Sequence, residues 1–150
     1  MNVGAHTGLA ALYFAEQVPG VRIVAFEPAK ATYTCLMRNL TAYIPGAIGH
    51  QYALGEAEGK AKFTYYPATP SQSGRYASRE EDDRLTMDYL SQIGVARADA
   101  EFLIEDLHVE DVMTVPVHTV SNVIIEDGLD SGWTAWRCSR SMLSGLSWMC

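Results

Sequence analysis

The stretch Asn2-Val3-Gly4-Ala5-His6-Thr7-Gly8, read with the later run Val21-Arg22-Ile23-Val24-Ala25-Phe26-Glu27-Pro28, leaves few folds open to this chain. An apolar stub, Met1 to Val3, enters the glycines, and Leu9-Ala10-Ala11-Leu12-Tyr13-Phe14-Ala15-Glu16 behind them has helical composition. A strand that passes at once into a helix needs a permissive backbone without Cβ atoms, so that main chain can approach a ligand at the helix N-terminus. Pro19-Gly20 stops that helix, and Val21 to Phe26 is a β-branched apolar run of buried-strand length that finishes on an acid. Strand, glycine turn, helix, strand and acid together open a doubly wound α/β sheet. Glu27, at the carboxyl end of the second strand, lies where a carboxylate can accept two hydrogen bonds from a ribose diol.

The glycine spacing separates two cofactor classes. A dinucleotide fingerprint requires G-x-G-x-x-G, whereas this chain has G-x-x-x-G with His6 in place of the middle glycine, where a pyrophosphate would meet a side chain. The pattern resembles motif I of the class I S-adenosylmethionine-dependent methyltransferases in its FkbM-type form. That form runs acid or amide, apolar residue, Gly-Ala, Asn or His, apolar residue or Thr, Gly. Phe26-Glu27-Pro28 is similar to the post-motif of the same family. Tyr33-Thr34-Cys35-Leu36-Met37-Arg38-Asn39-Leu40 stands as its next helix, and Ala53-Leu54-Gly55-Glu56 with Glu58-Gly59 as its third strand and turn. The resemblance covers residues 1–130 and departs at Asn2, where many members carry aspartate.

The resemblance implies a Rossmann-like class I methyltransferase sheet with flanking helices. It implies that S-adenosylmethionine is held by Asn2, Gly4, His6, Gly8, Glu27 and Pro28, with His6 bordering the methionine moiety and Leu54 near the adenine. The implied reaction is methyl transfer to a hydroxyl of a sugar or other small natural product, with a small-molecule acceptor as partner. Two other readings stand beside it: a non-catalytic fragment or cofactor-binding module, and a nicotinamide-dependent oxidoreductase, which His6 disfavours.

A net charge of −7 without a lysine-arginine cluster gives a nucleic acid no electrostatic attraction, so none is expected as a partner. Cys35, Cys138 and Cys150 are too scattered for a disulfide framework or a zinc site and fit a reducing compartment, Cys35 as a small apolar helix residue. No apolar run has the length of a membrane span, and the N-terminus lacks a charged leader, so the expected location is cytoplasmic. His6, His50, His108 and His118 lack ligand spacing, so no metal is expected, and no Ser-His-Asp elbow or phosphate-loop lysine assigns a catalytic residue.

In chain order, the first helix should span 8–17 and the second carry a stripe of Tyr33, Leu36, Met37 and Leu40. Residues 48–54 and 60–66 read as a hairpin around Glu56-Ala57-Glu58-Gly59. Residues 67–83 read as a long loop, with Ser71, Ser73 and Arg75 as candidate substrate contacts. Two short helices over 85–107 read as an insertion or cap, residues 112–120 as a strand that Pro116 restricts to an edge or a short segment, and Thr119 or Ser121 as the cap of a last helix closed by Gly128. Domain 1–130 is followed by 131–150, an atypical tail with all three tryptophans and no acid, as a truncated or frame-shifted reading would give. The sheet is therefore expected to be incomplete, with an open edge beside a shortened first strand, and turnover to be absent.

Overall fold

The computed structural model describes residues 1–128 and the backbone of 139–140; the expected atypical tail otherwise lies outside the described residues. The chain forms two compact units, one of residues 1–61 with 115 onward, the other of residues 62–114.

The first unit is built on a parallel sheet. Its strands are β1 (Asn2–Val3), β2 (Val24–Phe26) and β3 (Ile48–His50), with helices α1 (Leu9–Gln17) and α2 (Lys30–Tyr43) as crossovers. β2 lies between its neighbours, with Asn2 opposite Ala25 and Phe26 opposite His50. Every residue of β2 is buried, and the strand alternation explains how. Ile23 and Ala25 pack into one core with Ala11, Leu36 and Leu40 of the two crossover helices. Val24 and Phe26 pack on the opposite face with Val123 of α5 (Val120–Glu126). A sheet covered on both faces needs apolar residues at every strand position, which is what the Ile23-Val24-Ala25-Phe26 run supplies.

The second-helix stripe holds, with Leu36 and Leu40 fully buried and Lys30 exposed, although Cys35 is exposed rather than packed. The last helix is capped as expected, the Thr119 hydroxyl accepting from the Asn122 amide at 3.3 Å. A two-residue strand at Ser139–Arg140 runs parallel to β1 on the side away from β2, so the expected open edge is not found over Asn2 and Val3.

The expected hairpin does not form. β3 extends the first sheet, while β4 (Ala53–Leu54) and β5 (Gly59–Tyr65) flank β6 (Asp111–His118) on opposite sides. β4 runs parallel to β6, Ala53 opposite Val117 and Leu54 opposite His118. Its partner strand comes from far along the chain, which turn chemistry at Glu56–Gly59 does not reveal. β6 is thus a middle strand despite Pro116; β4 meets it only at the two residues after the proline, where no missing N–H is needed. The strand at Ser139–Arg140 completes the series as β7.

The second unit holds α3 (Arg79–Gln92) and α4 (Arg97–Ile104), which pack together. The expected long loop is shorter than read, because Thr64 and Gly74 exchange backbone hydrogen bonds of 3.0 and 2.9 Å and α3 begins at Arg79. Ser73 is occupied there, its hydroxyl accepting from the Tyr66 amide at 2.9 Å. Tyr66 and His108 are fully buried, and His108 is bonded through both ring nitrogens, to Asp83 at 2.6 Å and Gln72 at 2.8 Å. No helix among the described residues is long and apolar enough to cross a membrane.

Candidate cofactor site

The turn between β1 and α1 takes the left-handed conformation three times, at Gly4 (φ 64°), His6 (φ 53°) and Gly8 (φ 90°). Glycine adopts this region freely, whereas His6 does so against the steric preference of an L-residue. What holds it there is Glu27. One carboxylate oxygen accepts the His6 amide at 2.9 Å and the other accepts the Ala29 amide at 3.0 Å. The acid thus ties the glycine turn to the start of α2. Ala5 adds a bond from its amide to the Phe26 carbonyl at 2.9 Å, and the Asn39 amide group donates to the Thr7 carbonyl at 2.7 Å.

Glu27 is buried, and desolvation raises its pKa above the ordinary carboxylate value, against the opposing pull of the two backbone donors. Each carboxylate oxygen has a second lone pair, so the two backbone bonds leave acceptor capacity for a ligand. Asn2 in β1, opposite Ala25, is only 3% exposed, yet among the described residues neither its Nδ2 nor its Oδ1 has a hydrogen-bond partner. His6 Nε2 is likewise buried without a partner among the described residues, and burial lowers the pKa of that ring. Buried polar atoms are paired in the great majority of cases, so these three orphans, two on Asn2 in the strand before the turn and one within it, mark a place where a polar ligand fits.

Gly8 is constrained from the core side as well. A Cβ there would lie 2.9 Å from Leu36 Cδ1, so the position is closed by the core as well as by its φ. Pro28 is buried next to Glu27. Leu54 is half-buried at the end of β4 and packs against the core of Val24, Phe26 and Val123.

A second constellation escaped the sequence. At the carboxyl ends of β2, β3 and β6, the rings of Phe26, His50, Tyr52 and His118 follow one another at centroid separations of 5.2, 4.9 and 4.3 Å. His50 Nε2 pairs with Asp127 at 2.7 Å, and His118 Nδ1 with Glu58 at 3.0 Å. Burial, with Asp127, Glu126 and Glu58 nearby, pushes the Tyr52 phenol up to about 12. Glu58 also accepts from the Thr119 amide at 2.6 Å, so the two pairs hold α5 at its first and last turns. The partners are far apart in sequence, and the only available signal was that each histidine ends a strand. Among the described residues no three His, Cys, Asp or Glu side chains gather closely enough to hold a metal ion.

The chain is related to proteins named methyltransferases. It is 32% identical to Methyltransferase 1 of Beauveria bassiana over 59% of this chain and 36% of that protein. It is 26% identical to the 31-O-demethyl-FK506 methyltransferase FkbM of Streptomyces tacrolimicus over 85% of this chain and 50% of that protein. A stretch covering 63% of the chain is 38% identical to 4% of the AMB antimetabolite synthetase AmbE of Pseudomonas aeruginosa. The chain therefore spans half the length or less of these curated relatives. No family model and no solved structure matches it.

Proposed function

We propose that this chain binds S-adenosylmethionine at the β1–α1 turn of a Rossmann-like sheet and serves an FkbM-type methyl transfer to a hydroxyl of a sugar or other small natural product. The observation that carries the reading is the buried, unpartnered Asn2 carboxamide beside a left-handed turn at the carboxyl end of a parallel strand. The relatives named methyltransferases support the same chemistry. Asn2 offers one donor pair and one acceptor, and His6 Nε2 offers a further site, to a ligand carrying both ammonium and carboxylate groups. Glu27 keeps acceptor capacity for a ribose diol while its existing bonds fix the shape of the turn. The cofactor supplies a methyl group on sulfonium, a leaving group that needs no acid, so the chain's task is alignment of the acceptor oxygen.

Isothermal titration of the chain with S-adenosylmethionine, and separately with NAD, tests this. Saturable heat with the first and at least tenfold weaker binding of the second is expected. Equal or stronger binding of NAD, or no heat from S-adenosylmethionine at millimolar concentration, refutes the assignment.

A further inference from the structure

α3 is a 14-residue helix without a single buried residue. Its inner face, with Met87 and Leu90, is only half-buried and packs with α4, so most of the apolar surface that would stabilise a helix of this length lies on a second, outer stripe. That stripe is present. Leu85, Tyr89 and Ile93 follow one another at four-residue spacing along one ridge, and they are 51%, 60% and 57% exposed. The bonds that hold α3 to its own unit are polar and sit at its first turn. Asp82 accepts from the Tyr66 hydroxyl at 2.7 Å, and Asp83 pairs with the buried His108. The helix is thus held by its N-terminal acids and by its half-buried Met87 and Leu90 face, while the ridge of Leu85, Tyr89 and Ile93 stays exposed. On α4, which packs on α3, Phe102 is 77% exposed.

The charge around this ridge decides what can cover it. Residues 62–114 carry eleven Asp and Glu against five Lys and Arg, so this unit holds six of the chain's seven net negative charges. Helical spacing puts Glu81 and Asp88 together on the ridge beside Leu85 and Tyr89, Asp88 in an exposed pair with Arg84 at 3.4 Å that an incoming cation would have to share. A second copy of the chain would bring the same negative charge against this face, and an anionic lipid surface would be repelled likewise. A partner that buries apolar anchors while presenting Lys or Arg at their flanks meets both features at once.

We propose that the α3 ridge of Leu85, Tyr89 and Ile93 is a docking surface for a basic amphipathic helix of a partner protein, its apolar residues at i, i+4 and i+7 seated on the ridge and its cationic residues facing Glu81 and Asp88. This is the helix-on-apolar-face mode of recognition, with electrostatics choosing the partner. The surface is independent of the cofactor reading.

The probe is a fluorescein-labelled Leu/Lys helical peptide of about five turns, with a Leu/Glu twin in which every lysine is replaced by glutamate. Anisotropy with the full chain should show the Leu/Lys peptide binding at least tenfold tighter than its twin. Tyr89→Ser removes an anchor without changing charge and should weaken that binding at least tenfold, while circular dichroism shows the fold retained. Ile93→Ser serves as the second variant should Tyr89→Ser fail to fold. Raising salt from 50 to 500 mM should weaken binding but leave a residual, apolar component. Equal affinity for the twin, no binding at 100 µM, or unchanged affinity in a folded variant overturns the proposal. So does concentration-dependent dimerisation of the chain by sedimentation that is lost in Tyr89→Ser, which would make the occupant a second copy.

Discussion

Replacing Asn2 by Leu should stabilise the ligand-free chain and weaken cofactor binding at the same time. Asn2 is 3% exposed with both side-chain polar atoms unpaired among the described residues. An amide buried without partners costs about 1–3 kcal/mol on protein mutational scales. Leucine has similar volume and would convert that cost into apolar burial against the sheet, a further gain on the order of 1 kcal/mol after imperfect fit at a close-packed site. A net stabilisation of about 2 kcal/mol would move a urea midpoint upward by about 1 M for a typical denaturant slope. The same unfolding curves with S-adenosylmethionine present separate the two effects. A ligand at a hundred times its Kd adds about 2.7 kcal/mol to the stability of the protein that binds it. The wild-type midpoint should therefore rise with ligand and the variant's should rise far less. Destabilisation of Asn2→Leu by more than about 1 kcal/mol would mean that the carboxamide is satisfied within the chain. An undiminished ligand-induced rise would remove Asn2 from the cofactor site.

Gly8→Ala should cost about 2–4 kcal/mol, from left-handed backbone strain together with overpacking against Leu36. Adding Leu36→Val should recover the packing part in a double-mutant cycle, and an uncoupled pair would show that the contact is not felt. Because burial raises the Glu27 pKa, the folded chain holds that proton more tightly than the unfolded chain does. Stability from this group is therefore greatest below the ordinary carboxylate value of 4.5 and falls as pH climbs through the raised one. Glu27→Gln should abolish that slope in urea midpoints taken across the acid range, and a wild-type-minus-variant difference that stays flat or rises with pH contradicts the assignment. Thr119→Ala should lower stability by about 0.5–1 kcal/mol through loss of the α5 cap, at the weak end because the bond is 3.3 Å long; no change by thermal melt would mean that Glu58 alone holds that terminus.

What the sequence made legible was local. Proline, glycine and the 3.6-residue stripe placed α1 and α2, because those signals act within a few residues of the element they end or face. The left-handed turn was legible for the same reason, since Gly4 and Gly8 mark it in their own positions. β4 and β5 were misread as a hairpin because their shared partner, β6, is supplied from far along the chain. The Glu27 bonds to two backbone amides, the unpartnered state of Asn2 and the ring ladder from Phe26 to His118 exist only once strand ends are brought together, and no spacing in the chain encodes them. The spacing marks Gly8 as a turn glycine but does not show that Leu36, a helix residue with no local relation to the turn, also closes the position to a side chain.

The double attachment at Glu27 also carries a kinetic consequence. Its two oxygens hold amides on two separate segments, His6 in the glycine turn and Ala29 at the entrance to α2. Release of that one side chain frees both. In native-state hydrogen exchange the His6 and Ala29 amides should then report a single opening event with a common free energy, despite their separation in the chain. The β1–α1 turn and the first turn of α2 would behave as one hinge with one latch, and a ligand that engages Glu27 would slow both amides together.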